Sequence, residues 1–216
     1  MAEYRLHCFP ESGNAYKAAL MLALCGADWE PLFIDYATGV TRGADWRDEN
    51  NDMGEAPVLE HGSTRLTQTG VILKYLSEQF GKFGASSAEE EREIMRWTLF
   101  DNHKFTSYFA THRALNCIVP SAPEPAVMEF LRTRAEAAFG VVEKRLARQD
   151  FITGEKPTIA DISMVGYLYY PGEETDFDLP GDYPNIASWT TRISQLDGWQ
   201  GPYDLIPGKR IPLRKS

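Results

Sequence analysis

The sequence predicts two architectures in series: a mixed α/β unit over residues 1–80 and an all-helical unit over residues 89–216, with a linker at 81–88. Three observations predict this. Segments that read as strands all fall within the first eighty residues. After them, apolar residues recur at helical spacing. Between the two, Gly81-Lys82-Phe83-Gly84-Ala85-Ser86-Ser87 breaks both patterns.

Tyr4-Arg5-Leu6-His7-Cys8-Phe9 alternates and predicts a strand, and Pro10-Glu11-Ser12-Gly13-Asn14 predicts a turn. From Tyr16 the residues Ala19, Leu20, Ala23 and Leu24 follow helical spacing, with Gly26 as the stop. Trp29 to Ile34 reads as a second strand, completing a βαβ unit whose strands run parallel. Residues 37–54 are irregular, with one short helix around Asp45–Asn50. Pro57 to Leu66 predicts a hairpin turning at His61-Gly62-Ser63, and Gln68 to Phe80 a helix ended by Gly81. Ser86 or Ser87 caps the next helix, whose first turn carries Glu89, Glu90 and Glu91. Helices are expected near 88–117, 124–148, 158–170 and 184–196, separated by proline and glycine clusters. Thr158 and Asp161 read as a structural helix cap and its reciprocal acid. Residues 201–216, with Pro202, Pro207, Gly208 and Pro212, read as an irregular tail.

Composition mainly excludes. With 216 residues, 43% hydrophobic and 25% charged, the chain can bury a sizeable core and is neither disordered nor fibrous as a whole. Apolar runs such as Ala18–Cys25 are shorter than the roughly 20 residues of a membrane span, and no signal peptide or membrane association is expected. Net charge is −9, from 22 basic and 31 acidic residues, and no cluster of five basic residues occurs. Nucleic acid is therefore not an expected partner. The acidity is concentrated in residues 1–80, which hold six Lys/Arg against twelve Asp/Glu. Three cysteines, Cys8, Cys25 and Cys117, form no C-x-x-C and no Cys/His cluster. No disulfide framework or metal site is expected, and a reducing, cytoplasmic setting fits.

Four motifs then carry a resemblance. Asn51-Asp52-Met53-Gly54-Glu55-Ala56-Pro57-Val58-Leu59 resembles the Asn-Pro-x-Gly-x-Val-Pro-x-Leu segment of soluble glutathione S-transferases. Leu66-Thr67-Gln68-Thr69-Gly70-Val71-Ile72-Leu73-Lys74-Tyr75-Leu76 resembles that family's Leu-x-(Glu/Gln)-Ser-x-x-Ile-x-x-Tyr-Leu. Thr158-Ile159-Ala160-Asp161 resembles its Thr-x-Ala-Asp signature, and Pro184 to Trp189 its late Pro-x-(Ile/Leu)-x-x-Trp segment. The four come in the family's order and span nearly the whole chain. The resemblance implies a thioredoxin-like N-terminal domain, a helical bundle after it, and a homodimer. It further implies a cytoplasmic, detoxifying enzyme of the bacterial-like, serine- or asparagine-using kind. Such an enzyme adds the thiolate of its cosubstrate glutathione to a small, hydrophobic electrophile. An isomerase, peroxidase or dehalogenase using the same cosubstrate, or a non-catalytic module of the same fold, are the alternatives.

The resemblance also assigns residues. Gln68 and Thr69, at a helix start, would hold the γ-glutamyl end, as helix N-termini hold carboxylates. Glu55, Ala56, Pro57 and Val58 would border the peptide, with Pro57 after a cis bond and neighbouring backbone free to pair in strand fashion. Glu55 departs from the Gln or Lys common there and places a carboxylate near the glycyl end. Asp52 replaces a proline. Ser12 or Asn14 would stabilise the thiolate. A thiol of pKa ~8.5 is roughly 3% ionised at pH 7, and a 2-unit reduction needs about 2.7 kcal/mol. One hydrogen bond to a charged group is of that size. The plain alternative is an ordinary turn and cap. Tyr4 is a weaker candidate. Cys8 and Cys25 read as core; of the mid-helix residues, Asp101 and His103 leave substrate contact open, and Lys104 reads as part of a solvated face.

Overall fold

The computed structural model describes residues 2–214. It resolves into two compact units. The first takes the chain up to Lys82 together with Leu196–Ile211, and the second takes Phe83–Gln195 and the chain from Pro212.

The first unit is built on a four-stranded sheet in the order β2-β1-β3-β4. Strand β1 (Tyr4–Cys8) turns Tyr4, Leu6 and Cys8 into the core, as its alternation requires. Strand β2 (Trp29–Phe33) lies parallel to β1, and β3 (Val58–His61) antiparallel. Pro31 sits in β2 at the sheet edge, where its missing N–H costs no ladder bond. Strand β4 (Thr64–Thr67) returns from β3, with Leu59 opposite Leu66. On the far face Glu60 lies opposite both Arg5 and Arg65 and pairs with each, and its Oε1 is 3.0 Å from His7 Nε2. Burial works against the Glu60 charge. Hydrogen bonds from His7 and Arg65 and the charge of Arg5 outweigh it and hold the carboxyl below its ordinary value.

Helix α1 (Gly13–Cys25) is buried around almost its whole circumference, from Ala15 to Leu22 without interruption. Gly26 ends it in the left-handed region at φ 72°, with its N–H bonded to Ala23 O. Helix α2 (Ala44–Glu49) follows two single 3₁₀ turns, Tyr36–Thr38 and Val40–Arg42, in a segment expected to be irregular apart from one short helix. Helix α3 (Thr69–Phe80) packs Ile72, Leu73 and Leu76 inward against α1.

From its sequence, the 201–216 segment reads as an irregular tail of the helical part. Instead Leu196–Ile211 belongs to the first unit. Its short helix α11 (Pro202–Leu205) packs on α1, and Tyr16 Oη donates to Gln200 O at 2.8 Å. A Cβ added to Gly198 would lie 2.5 Å from Ala23 O, so only glycine allows this approach. Lys215 and Ser216 lie outside the described residues.

In the second unit, α4 (Ala88–Phe100) is capped by Ser87, whose Oγ accepts from Glu90 N at 3.1 Å. The helix expected over 88–117 is continuous but carries two π-turns, Asp101–Phe105 and Ala114–Ile118, around α5 (Thr106–Arg113). Asp101 is buried and accepts from Thr106 Oγ1 and Ser163 Oγ at 2.5 and 2.6 Å. It is thus structural, while His103 is exposed and Lys104 lies over the Tyr108 ring. Helix α6 (Pro125–Leu146) presents Phe139, which meets Phe105, Phe109, Phe177 and Tyr183 edge-on. Helix α7 (Ile159–Val165) follows a capping box formed by Thr158 and Asp161. Two single-turn helices, α8 (Gly172–Thr175) and α9 (Leu179–Asp182), lead to α10 (Pro184–Ser194). Glu143 of α6 accepts from Asn185 N and Ile186 N at the start of α10, both at 2.9 Å.

Asp161 does more than cap. Wholly buried, it also accepts from Ile152 N at 2.8 Å and Trp189 Nε1 at 2.9 Å. Burial pushes its carboxyl up to about 6, against the pull of these donors. Asp161→Ala removes the acceptor of four buried donors, Ile152 N, Thr158 N, Thr158 Oγ1 and Trp189 Nε1, and is expected to cost about 3–5 kcal/mol, read as a lowered urea midpoint. A loss under 1 kcal/mol would show that water replaces the carboxylate.

Candidate active site

Three segments of the first unit supply its candidate site. The first is the turn between β1 and α1. Ser12 is the N-cap of α1, with extended backbone, and its Oγ accepts from Ala15 N at 3.1 Å. That bond uses the hydroxyl oxygen and leaves its proton committed to no acceptor among the described residues. Ser12 is 6% exposed. Asn14 stands one residue into α1, with Oδ1 shielded from solvent and without a hydrogen-bond partner among the described residues.

The second segment is the start of α3. Thr69 Oγ1 donates to the main-chain O of Asn14 at 3.4 Å, so the N-termini of α3 and α1 lie side by side. Two helix N-termini together offer unpaired amides and the positive ends of two dipoles. Gln68 is the N-cap of α3 at φ 65°, ψ 111°, a region a non-glycine residue enters at a cost of about 1–3 kcal/mol. Its side chain does not cap the helix. Nε2 donates instead to Glu55 Oε2 at 2.9 Å and lies 3.1 Å from Met53 Sδ.

The third segment is the loop entering β3. Asn51, 4% exposed, donates from Nδ2 to Glu55 O at 2.9 Å and accepts from Met53 N at 3.0 Å. The Ala56–Pro57 bond is cis, as the resemblance implied. Val58 follows as the first residue of β3, paired in register with His7 and Thr67.

The sequence-predicted residues thus fall into a Ser12–Asn14 group, a Gln68–Thr69 group and the Glu55–Val58 loop. Asn14 with Thr69, and Glu55 with Gln68, are joined by hydrogen bonds. Tyr4 belongs to none. It is 2% exposed, its ring is stacked on His61 at 4.2 Å, and burial raises its pKa. Three features escaped sequence reasoning. Asn51 enters the sequence only as part of a motif, although an Asn side chain commonly accepts from the backbone two residues on, as it does here from Met53 N. The left-handed backbone of Gln68 carries no sequence signal. Glu11, 2% exposed, was read as one more turn residue.

Among the described residues no group of three or more His, Cys, Asp or Glu side chains could hold a metal ion, and no helix is long and apolar enough to cross a membrane.

This arrangement, a four-stranded mixed sheet with two helix starts and a cis-proline loop beside it, defines a thioredoxin-like domain followed by a helical one. Comparison with known proteins gives the family. A family model described as glutathione S-transferase, N-terminal domain, matches residues 2–78, and one described as glutathione S-transferase, C-terminal domain, matches residues 104–197. The chain belongs to the glutathione S-transferase family. It is 25% identical to glutathione S-transferase F14 of Arabidopsis thaliana, over 99% of this chain and 90% of that protein. It is 29% identical to glutathione S-transferase A3 of Homo sapiens, over 89% and 84%. A crystal structure of a glutathione S-transferase from Pseudomonas fluorescens superposes with a TM-score of 0.85 at 29% identity, covering 93% of this chain and 99% of that one.

Burial pushes the Cys8 thiol up to about 12 and Cys25 to about 11, Lys82 offsetting part of the latter, and Cys117 is buried. At pKa ~12 about one thiol in 10⁵ is ionised at pH 7. The native protein is therefore expected to leave an aromatic disulfide reagent uncoloured for minutes, and to release three equivalents in denaturant. One equivalent released at once by native protein would contradict this.

Proposed function

We propose that the protein binds glutathione in its first unit and transfers the thiolate to a small, apolar electrophile. The observation that carries this is the Ser12 hydroxyl, whose oxygen is anchored by Ala15 N and whose proton is left to donate at the start of a buried helix. A sulfur held there meets one hydroxyl donor and the dipole of α1, which together suffice for a reduction of about 2 pKa units. Asn14, beside it, is the second candidate donor. Main-chain amides at the start of α3, with the Thr69 hydroxyl, suit the γ-glutamyl carboxylate. The main chain of Ala56, which leads into the cis bond and belongs to no strand, suits the peptide's own amides. Gln68 adds a side-chain amide. The family's name supports glutathione as the cosubstrate.

In this reading glutathione enters as the thiol and loses its proton to solvent or buffer. Ser12 donates to the sulfur anion and lowers the cost of holding it charged. The thiolate attacks the electrophilic carbon, the carbon–sulfur bond forms, and a leaving group such as halide departs with its electron pair. The protein's own thiols take no part.

Conjugation of 1-chloro-2,4-dinitrobenzene tests this. Ser12→Ala is expected to reduce kcat at pH 7 roughly ten- to hundred-fold, with the KM for glutathione changed less than three-fold. Asn14→Ala is expected to lose less. Equal activity in wild type and both variants would sink these assignments.

One observation favours a second reading. Glu55 occupies the Gln68 amide and sets a carboxylate beside the segment proposed to hold an anionic peptide. A non-catalytic module of the same fold would tolerate this. Titration calorimetry separates the two, since absence of heat and of thermal shift at millimolar glutathione would favour the module.

We also infer a homodimer in a reducing cytoplasm. Met95 and Leu99 of α4 are 56% and 61% exposed, a spacing that makes an apolar stripe on one helix face. The first unit separately exposes Met53 and Val71. Leu99→Glu is expected to shift light-scattering mass from twice the chain to the 24.4 kDa of one chain. A wild type already at one-chain mass would refute the dimer.

A further inference from the structure

The residue before Ser12 is an acid with a fully buried side chain. Glu11 has a side chain that is 0% exposed, and its Oε1 accepts from Arg210 Nε at 3.0 Å and from Ile211 N at 2.8 Å. The two donors lie 199 and 200 positions further along the chain, in the part of the first unit contributed by Leu196–Ile211. Arg210 is itself held. Its guanidinium carbon stands 3.2 Å from the centre of the Tyr203 ring, on α11. Two residues earlier, Gly208 presses on the same turn. A Cβ there would lie 2.6 Å from Phe33 Cε1 and 3.1 Å from Pro10 Cγ. Ile206, fully buried, anchors the approach, and Gly208 N donates to its carbonyl at 2.9 Å. A strap of residues 206–211 thus lies against Pro10 and Glu11 and bonds to the latter twice.

We propose that this strap is a positioning device for the Ser12 hydroxyl, with Arg210 and Glu11 as its positioning residues. The inference rests on the reading of Ser12 given above. Ser12 sits on an irregular turn, and a turn is a poor platform for a group that must be held within about 0.5 Å. On the strand side Ser12 N donates to Phe9 O at 3.1 Å. A buried carboxylate tolerates only geometries in which its donors remain in place, because a buried charge that loses them is expensive. The Glu11 side chain, and with it the backbone that leads into Ser12, is therefore locked to a segment that touches Pro10 and Glu11. Arg210 and Glu11 do not act on glutathione themselves in this scheme; they set where Ser12 points.

The test uses the full chain with Arg210→Ala, Arg210→Lys and Arg210→Gln. Conjugation kinetics, glutathione calorimetry and thermal unfolding are read for each. Arg210→Ala is expected to lower kcat at least ten-fold while the glutathione KM and calorimetric Kd stay within three-fold. Arg210→Lys, which restores a charged donor to Glu11, is expected to recover most of kcat. If Arg210→Ala does not fold, Arg210→Gln, which keeps one donor, is held to the same criteria. Unchanged kcat in a variant that has lost Arg210 overturns the proposal. So does a rise in KM and Kd that accounts for the whole effect, or a loss that the lysine variant does not repair. A wild type that gives neither heat nor turnover overturns the functional reading itself. A wild type that gives both, beside an unimpaired Arg210→Ala, overturns the strap alone.

Discussion

The constraint on which the first unit depends is the burial of α1. From Ala15 to Leu22 no residue of this helix reaches water, because the sheet, α3 and the returning 196–211 segment take its surface between them. Alanines at 15, 18, 19 and 23 keep the helix thin enough for such neighbours to approach. A helix enclosed in this way cannot slide or tilt without opening cavities, which cost more as they grow. Its ends must therefore be satisfied where they stand. Gly26 satisfies one end and Ser12 the other. The direction of the first-turn amides is then a property of the core, which is what electrostatic stabilisation requires of a donor set.

Local features of the fold were legible in the sequence because their physics is local. Gly26 as a stop, Ser87 as a cap and the Thr158–Asp161 pair each act within four residues. The parallel β1–β2 pair was legible because a strand, a helix and a strand in succession leave one handedness and one direction. The candidate site was proposed from three segments, and Ser12, Asn14, Gln68 and Thr69 all stand at helix starts where turn and cap residues announce them. What those residues touch was not legible. The Glu55–Gln68 bond depends on how the 51–57 loop folds, and the backbone of Gln68 occupies a region its own chemistry disfavours. The tail escaped for a related reason. Prolines at 202, 207 and 212 correctly signal broken structure, but they say nothing of the surface that broken structure covers.

Two acids of the first unit are spent internally, while most of its others lie exposed. Glu60 is enclosed by Arg5, Arg65 and His7, and Glu11 by the strap. Charges consumed in pairs of this kind contribute little to the field outside. In the second unit Arg113 and Glu174, at 1% and 2% side-chain exposure, pair in the same inward manner.

The two π-turns in the long helix of the second unit carry a consequence for its history. A π-turn accommodates one extra residue within an otherwise α-helical run. Each extra residue rotates everything downstream by about 100° around the helix axis. Asp101–Phe105, between α4 and α5, therefore bears the shape of a single-residue insertion absorbed without breaking the rod, whereas Ala114–Ile118 is the terminal turn and passes to extended backbone at Val119. The chain took up added length by changing its winding. The faces of α4 and α5 can consequently diverge in what they meet, while the element remains one continuous helix.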